Sequence, residues 1–116
     1  MRIEERTVGG VTILDLRGKL TLGDGDTLLK DKIHSLLHQG RRQFLLNLGD
    51  VPYIDSAGIG EVVATFSTVS REGGTLKLLN LTKRIHDLLA ITKLLTVFET
   101  FTAEADAVRS FSSAAV

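Results

Sequence analysis

The residues best placed to do chemistry lie in one segment, Val51-Pro52-Tyr53-Ile54-Asp55-Ser56-Ala57-Gly58-Ile59-Gly60. Its composition suits a loop feeding a helix N-terminus, with the Ser56 hydroxyl as a cap that accepts from an orphan backbone N–H. Gly58 and Gly60 would both fall near the first turn, where each glycine costs about 1 kcal/mol against alanine. A cap alone needs no such cost. Small residues there let a large surface approach the backbone around Ser56, with Ile54 and Ile59 expected to be exposed and apolar beside it. On the residues alone the cap is the simpler account, and the contact surface stands beside it.

Catalytic readings of the same serine fail on spacing. A nucleophile elbow wants glycine two positions before and two after the serine; Gly58 fits, but position 54 is isoleucine. No Gly-Lys-Ser/Thr string forms a P-loop, and the glycines do not follow a dinucleotide fingerprint. His34 and His38 are four residues apart and share a helix face, but no carboxylate stands between them as in a metalloprotease motif. Gly23-Asp24-Gly25-Asp26 has no glutamate closing a calcium loop at the twelfth position. A phosphoaspartate receiver needs an acidic pair at its first strand, and Leu14-Asp15-Leu16 supplies one acid. Neither an acid/base pair nor a metal cluster is evident, so no enzyme activity, metal or cofactor is expected.

Composition narrows the classes further. The chain has 116 residues, 43% of them apolar, which fits one domain (1–116) with a real core. Fourteen basic and fourteen acidic residues give zero formal charge, so no basic stripe for nucleic acid is expected. Arg41-Arg42 and Lys83-Arg84 read as solvated helix ends. Absence of cysteine excludes disulfides and thiolate metal sites. No apolar run reaches bilayer length, and the start, Met1-Arg2-Ile3-Glu4-Glu5-Arg6, lacks a signal-peptide core. A cytoplasmic protein without membrane insertion is the expectation.

The elements that must position Ser56 follow from periodicity. Ile3–Val8 and Val11–Gly18 read as strands joined at Gly9-Gly10, a two-residue hairpin signal. Asp24 or Asp26 caps a helix running to about Gln39, with Leu28, Leu29, Ile33, Leu36 and Leu37 as one apolar stripe, and Gly40 ends it. Phe44–Leu48 is a strand covered on both faces, followed by a loop from Gly49 to Ile54. A second helix starts near Ser56 and stops at Gly73-Gly74. Leu76–Asn80 is a strand, Thr82 opens a third helix, Val97–Thr100 is a short last strand, and Thr102 caps a final helix. The tail from Ser112 to Val116 is expected to fray. The order β-β-α-β-α-β-α-β-α implies an α/β fold with a mainly parallel central sheet, an N-terminal antiparallel hairpin strand and about four helices.

On that frame, the string Asp55-Ser56-Ala57-Gly58-Ile59-Gly60 resembles the STAS domain of bacterial anti-sigma factor antagonists. The resemblance covers nearly the whole chain, including Leu46-Asn47-Leu48, Gly73-Gly74 and the region from Lys83 to Leu95. It implies a partner switch: the antagonist binds an anti-sigma factor serine kinase and frees a sigma factor, the kinase phosphorylates the serine matching Ser56, and a phosphatase resets it. The implied partner-binding residues are Thr21, Asp24, Asp26, Tyr53, Ile54, Asp55, Ala57, Gly58, Ile59 and Gly60. Asp24 and Asp26 read first as loop and capping residues. The match departs at Thr21, where similar antagonists commonly carry aspartate. STAS domains also serve as constitutive scaffold subunits of stress-sensing or lipid-transport complexes, in which Ser56 would only cap a helix. A second copy of the chain is a further candidate partner.

Overall fold

Gly9 and Gly10 both take positive φ, +56° and +80°, the conformation a tight two-residue hairpin demands. They join β1 (Arg2–Val8) to β2 (Val11–Arg17) in an antiparallel register from Val8 opposite Val11 to Arg2 opposite Arg17. In this computed structural model, which describes residues 1–113, every later strand is parallel to its neighbour. β2 pairs with β3 (Gln43–Asp50), β3 with β4 (Thr75–Leu79) and β4 with β5 (Thr100–Phe101), so spatial order equals chain order. The intervening helices are α1 (Gly25–His38), α2 (Ser56–Arg71), α3 (Lys83–Ile91) and α4 (Glu104–Ser113). The fold is therefore α/β with a mixed five-stranded sheet, as the alternation of elements implies.

Phe44, Leu45 and Leu46 are all fully buried because the sheet is covered on both faces. Phe44 and Leu46 join Leu14, Leu76 and Leu78 under the inward stripes of α1, α2 and α3, among them Ile33, Val62 and Ile85. Leu45 joins Val11, Ile13 and Leu79 on the opposite face, which Ala107 and Phe111 of α4 cover. That second face also holds a polar seam. Arg6 donates to Asp15 at 2.7 Å and to Glu104, and Asn47 donates to Asp15 at 2.8 Å. The Arg6 guanidinium holds the Asp15 and Glu104 carboxyls below their ordinary range. Lys77, almost fully buried, donates to the Ser110 hydroxyl at 2.9 Å and faces Glu99 at 3.2 Å and the Phe111 ring.

The sheet ends in two unlike edges. β1 is lined with charge: Glu4 pairs with Arg17, and Glu5 with Lys32 at 2.8 Å. β5 is two residues long.

Three expectations need correction. The last strand lies at Thr100–Phe101, not Val97–Thr100; Leu95–Val97 is a 3-10 turn. Phe98, which follows it, is buried edge-on against Phe66, ring centroids 5.1 Å apart, and only Thr100 and Phe101 reach the β4 ladder. The loop expected from Gly49 starts later, because β3 continues through Asp50, whose carbonyl accepts from Gly18 N–H at 3.1 Å. The tail expected to fray from Ser112 begins inside α4, which runs to Ser113; residues 114–116 lie outside the described residues.

Candidate functional site

Beyond the ends of β2 and β3 the two chains stay side by side. Leu20 N–H donates to Tyr53 O at 3.0 Å, Asp55 N–H to Leu20 O at 3.4 Å, and Leu20 and Ile54 form a parallel bridge. Helices α1 and α2 both start here and both press on the Leu20 backbone. A Cβ on Gly25 would lie 2.7 Å from the Lys19 carbonyl oxygen, and one on Gly58 would lie 2.1 Å from the Leu20 carbonyl oxygen. Real Cβ atoms essentially never come within 3.0 Å of backbone, so glycine at both positions is a condition of the helices closing on this strand end. Gly58 thus serves an internal approach rather than the outward one anticipated for it. Around Gly60 no atom lies within 4 Å of an added Cβ, and it faces outward.

Asp55, not Ser56, is the α2 cap. The backbone at Asp55 is extended, φ −104° and ψ −177°, and Ser56 is the first helical residue. One Asp55 carboxylate oxygen accepts from Gly58 N–H at 2.8 Å, the bond a cap makes to the third helical residue. The other accepts from Leu22 N–H at 3.1 Å. The carboxylate therefore ties the β2–α1 loop to the α2 N-terminus, and these backbone donors, Gly58 first and Leu22 next, lower its pKa. The Ser56 side chain is left exposed.

Ile54 and Ile59, expected at the surface, are 1% and 9% exposed. Ile54 is locked into the bridge to Leu20, and Ile59 turns toward the sheet under α2. What reaches solvent is Tyr53, 41% exposed, together with Ser56, Gly60 and Ala64, which succeed one another at i, i+4 and i+8 along α2. Ala57 and Asp55 are half-buried. Thr21 is half-buried too, and its carbonyl accepts from the Asp24 and Asp26 N–H groups, each at 3.3 Å. Asp24 occupies the α1 cap position but its side chain makes no cap bond; it lies 3.6 Å from the Met1 amino group. Asp26 is not a cap either: it sits in the first turn of α1 and accepts from Thr27 N–H at 2.7 Å.

Two parts of the surface were not anticipated. Leu22, 75% exposed, rides on the loop that Asp55 holds. The second part is α3. Arg84 is not simply a solvated helix end, since its guanidinium carbon lies 4.4 Å from the centroid of the Tyr53 ring. A groove of about 300 Å³ runs between Ser56 and Ile59 of α2 and Arg84 and Leu88 of α3, with Tyr53 at its rim. The available signal was a second stripe on α3: Arg84, Leu88 and Ile91 fall at i, i+4 and i+7, outside the inward Ile85 and Leu89. Ile91 is 78% exposed.

His34 and His38 do share a face, in a separate cleft with Arg42 and Arg71. Arg42 is half-buried and closes the end of α1 by donating to Leu37 O at 2.9 Å. Among the described residues no group of three His, Asp or Glu side chains is arranged to hold a metal ion, and no helix is long and apolar enough to cross a membrane.

Comparison with known proteins identifies the fold and the family. The model of the STAS domain family matches residues 2–107. The anti-sigma-B factor antagonist of Bacillus subtilis is 40% identical over 72 residues, 62% of this chain and 65% of that protein. The crystal structure of an anti-sigma factor antagonist from Mycobacterium paratuberculosis superposes with a TM-score of 0.81 at 16% identity, over 94% of this chain and 92% of that one. The phosphorylated form of the Bacillus cell fate determinant SpoIIAA gives 0.75 at 18% identity, over 95% and 99%. At these identities the two structures speak to the fold.

Proposed function

The chain belongs to the STAS domain family, and we propose that within it the protein acts as an anti-sigma factor antagonist switched at Ser56. In the unphosphorylated form it binds an anti-sigma factor serine kinase and so releases a sigma factor. The kinase then transfers the γ-phosphoryl group of ATP: the Ser56 Oγ–P bond forms, the bond from phosphorus to the β–γ bridging oxygen breaks, ADP leaves, and the hydroxyl proton passes to a base on the kinase. A phosphatase restores the hydroxyl.

The observation that carries this reading is the exposed Ser56 hydroxyl, on a face of α2 with little bulk and beside the exposed apolar Leu22 and Tyr53. Ser56, Gly60 and Ala64 present no long side chain, so a partner surface can lie close to the α2 backbone. The relationship to the B. subtilis antagonist supports the same role. A constitutive scaffold role would leave Ser56 only the task of capping α2, and Asp55 already does that.

Electrostatics then accounts for the switch. A phosphate adds about −1.5 to −2 charges near neutral pH. A helix N-terminus favours an anion by about 0.3–1 kcal/mol at an exposed site, but the Asp55 carboxylate already takes the Gly58 donor. Burying an unmatched dianion under a partner costs several kcal/mol. The contact is lost through local charge and bulk, without refolding of the domain.

The test is binding of the Ser56→Ala and Ser56→Asp variants to the kinase partner. Ser56→Ala should bind like the unphosphorylated protein, and Ser56→Asp at least about tenfold more weakly, 1.4 kcal/mol. Equal affinities would refute the switch.

A further inference from the structure

We infer that Arg84 is the internal partner of a phosphate on Ser56, and that their pairing bridges the groove between α2 and α3 in the phosphorylated form. This rests on Ser56 being the phosphoacceptor. At the α2 N-terminus the phosphate would sit beside the Asp55 carboxylate, which already accepts from Gly58 N–H there at 2.8 Å and from Leu22 N–H of the β2–α1 loop at 3.1 Å, and like charge opposes it. The phosphate therefore needs a cation from elsewhere.

Among the described residues lining the groove that Ser56 borders, Arg84 is the cation. Its guanidinium rests on the Tyr53 ring, 4.4 Å from the centroid, three residues before the serine. No carboxylate accepts from it among the described ion pairs, whereas its neighbour Lys83 is committed to Asp87 at 2.8 Å. A guanidinium offers a planar pair of donors that matches a phosphate, and such charge-assisted pairs outweigh an exposed cation–π contact. Arg84 thus exchanges the face of Tyr53 for the phosphate and draws it across the mouth of the groove. The charged groups lining the groove beside the phosphate are then Asp55 and Arg84. The groove walls of Ile54, Ile59 and Leu88 are closed to an apolar side chain of a partner. On this account phosphorylation acts by occupying the socket as well as by repulsion.

The full chain, made with phosphoserine encoded at position 56, tests this without a kinase. Phosphorus NMR follows the second ionisation of the phosphoserine, which lies near pH 6 in the absence of partners. Arg84→Gln should raise that pKa by about half a unit or more, roughly threefold in proton affinity, and Lys83→Gln by less than half as much. Tyr53 is the single tyrosine in a chain without tryptophan, so its emission should change on phosphorylation in the native sequence and stay constant in Arg84→Gln. An unmoved pKa in Arg84→Gln, or an equal shift in Lys83→Gln, would overturn the pairing. If the pKa is unmoved while Ser56→Asp still weakens partner binding, the pairing falls and the switch stands. If Ser56→Ala and Ser56→Asp bind alike, the switch falls and this inference with it.

Discussion

Replacing Gly58 with alanine puts a methyl carbon 2.1 Å from the Leu20 carbonyl oxygen and 2.7 Å from Ile54 Cγ1, where ordinary contact begins at 3.4 Å. The first obstacle is backbone, and it is anchored, since the same carbonyl accepts from Asp55 N–H and the Leu20 N–H donates to Tyr53 O. The α2 N-terminus must therefore lift by about 1 Å. Overpacking of this kind costs about 1–3 kcal/mol, and the strained Asp55–Leu20 bond adds about 1. Alanine returns up to about 1 kcal/mol of helix propensity. The net expectation is a loss of about 2 kcal/mol, a fall of about 8 °C in the thermal midpoint for a domain of this size. Gly60→Ala is the internal control: the same exchange in the same helix meets no atom within 4 Å and should stabilise by about 0.5–1 kcal/mol. Urea unfolding followed by circular dichroism measures both. A Gly58→Ala protein as stable as the parent would refute the claim that close approach to Leu20 dictates the glycine.

Further expectations concern charge. Asp55→Ala should lower the unfolding midpoint and speed hydrogen exchange at the Leu22 amide, because one carboxylate holds both the cap and the β2–α1 loop; unchanged exchange at Leu22 would count against that tie. Arg6 lowers the folded pKa of Asp15 and Glu104, so their contribution is complete above the unfolded carboxylate values near pH 4 and is lost as pH falls through the folded ones. Arg6→Met should accordingly flatten the acid limb of stability below about pH 4, read from urea midpoints as the pH is lowered. Lys77→Met should stay within about 1 kcal/mol of the parent, because methionine refills the space between Phe101 and Phe111; Lys77→Ala should cost about 2 kcal/mol or more through the void it leaves.

The elements that position Ser56 were legible because they obey simple periods. The glycine pair between Val8 and Val11, the α1 stripe apart from Leu28, which is 40% exposed, and the cap at Thr82, whose hydroxyl accepts from Ile85 N–H at 3.2 Å, appear where composition places them. Within the segment around Ser56 the local structural roles were partly misassigned. Asp55 and Ser56 are both good caps, and only the extended backbone at Asp55 decides between them. Gly58 and Gly60 look alike in sequence, yet one is pressed on Leu20 and the other faces open space; that depends on where β2 ends, a contact between residues 38 apart. Ile54 carries no local mark of burial, since the segment it bridges comes from the other loop, whereas the burial of Ile59 was legible in the apolar spacing it shares with Val62, Val63, Phe66 and Val69 along α2. Arg84 was hidden for the same reason: its approach to Tyr53 is a meeting of two helices' neighbourhoods, set by packing on the shared sheet.

The two edges of the sheet have a consequence for how copies of the chain meet. An open strand is a template for another, and long, apolar, flat edges invite polymerisation. Here one edge carries Glu4, Glu5 and their basic partners, so an incoming identical strand would confront its own charges. The other offers two residues, too short a ladder to hold a neighbour. Fibril growth by strand addition is opposed at both ends. A lasting contact with another protein, or with a second copy, is left to helix faces and loops.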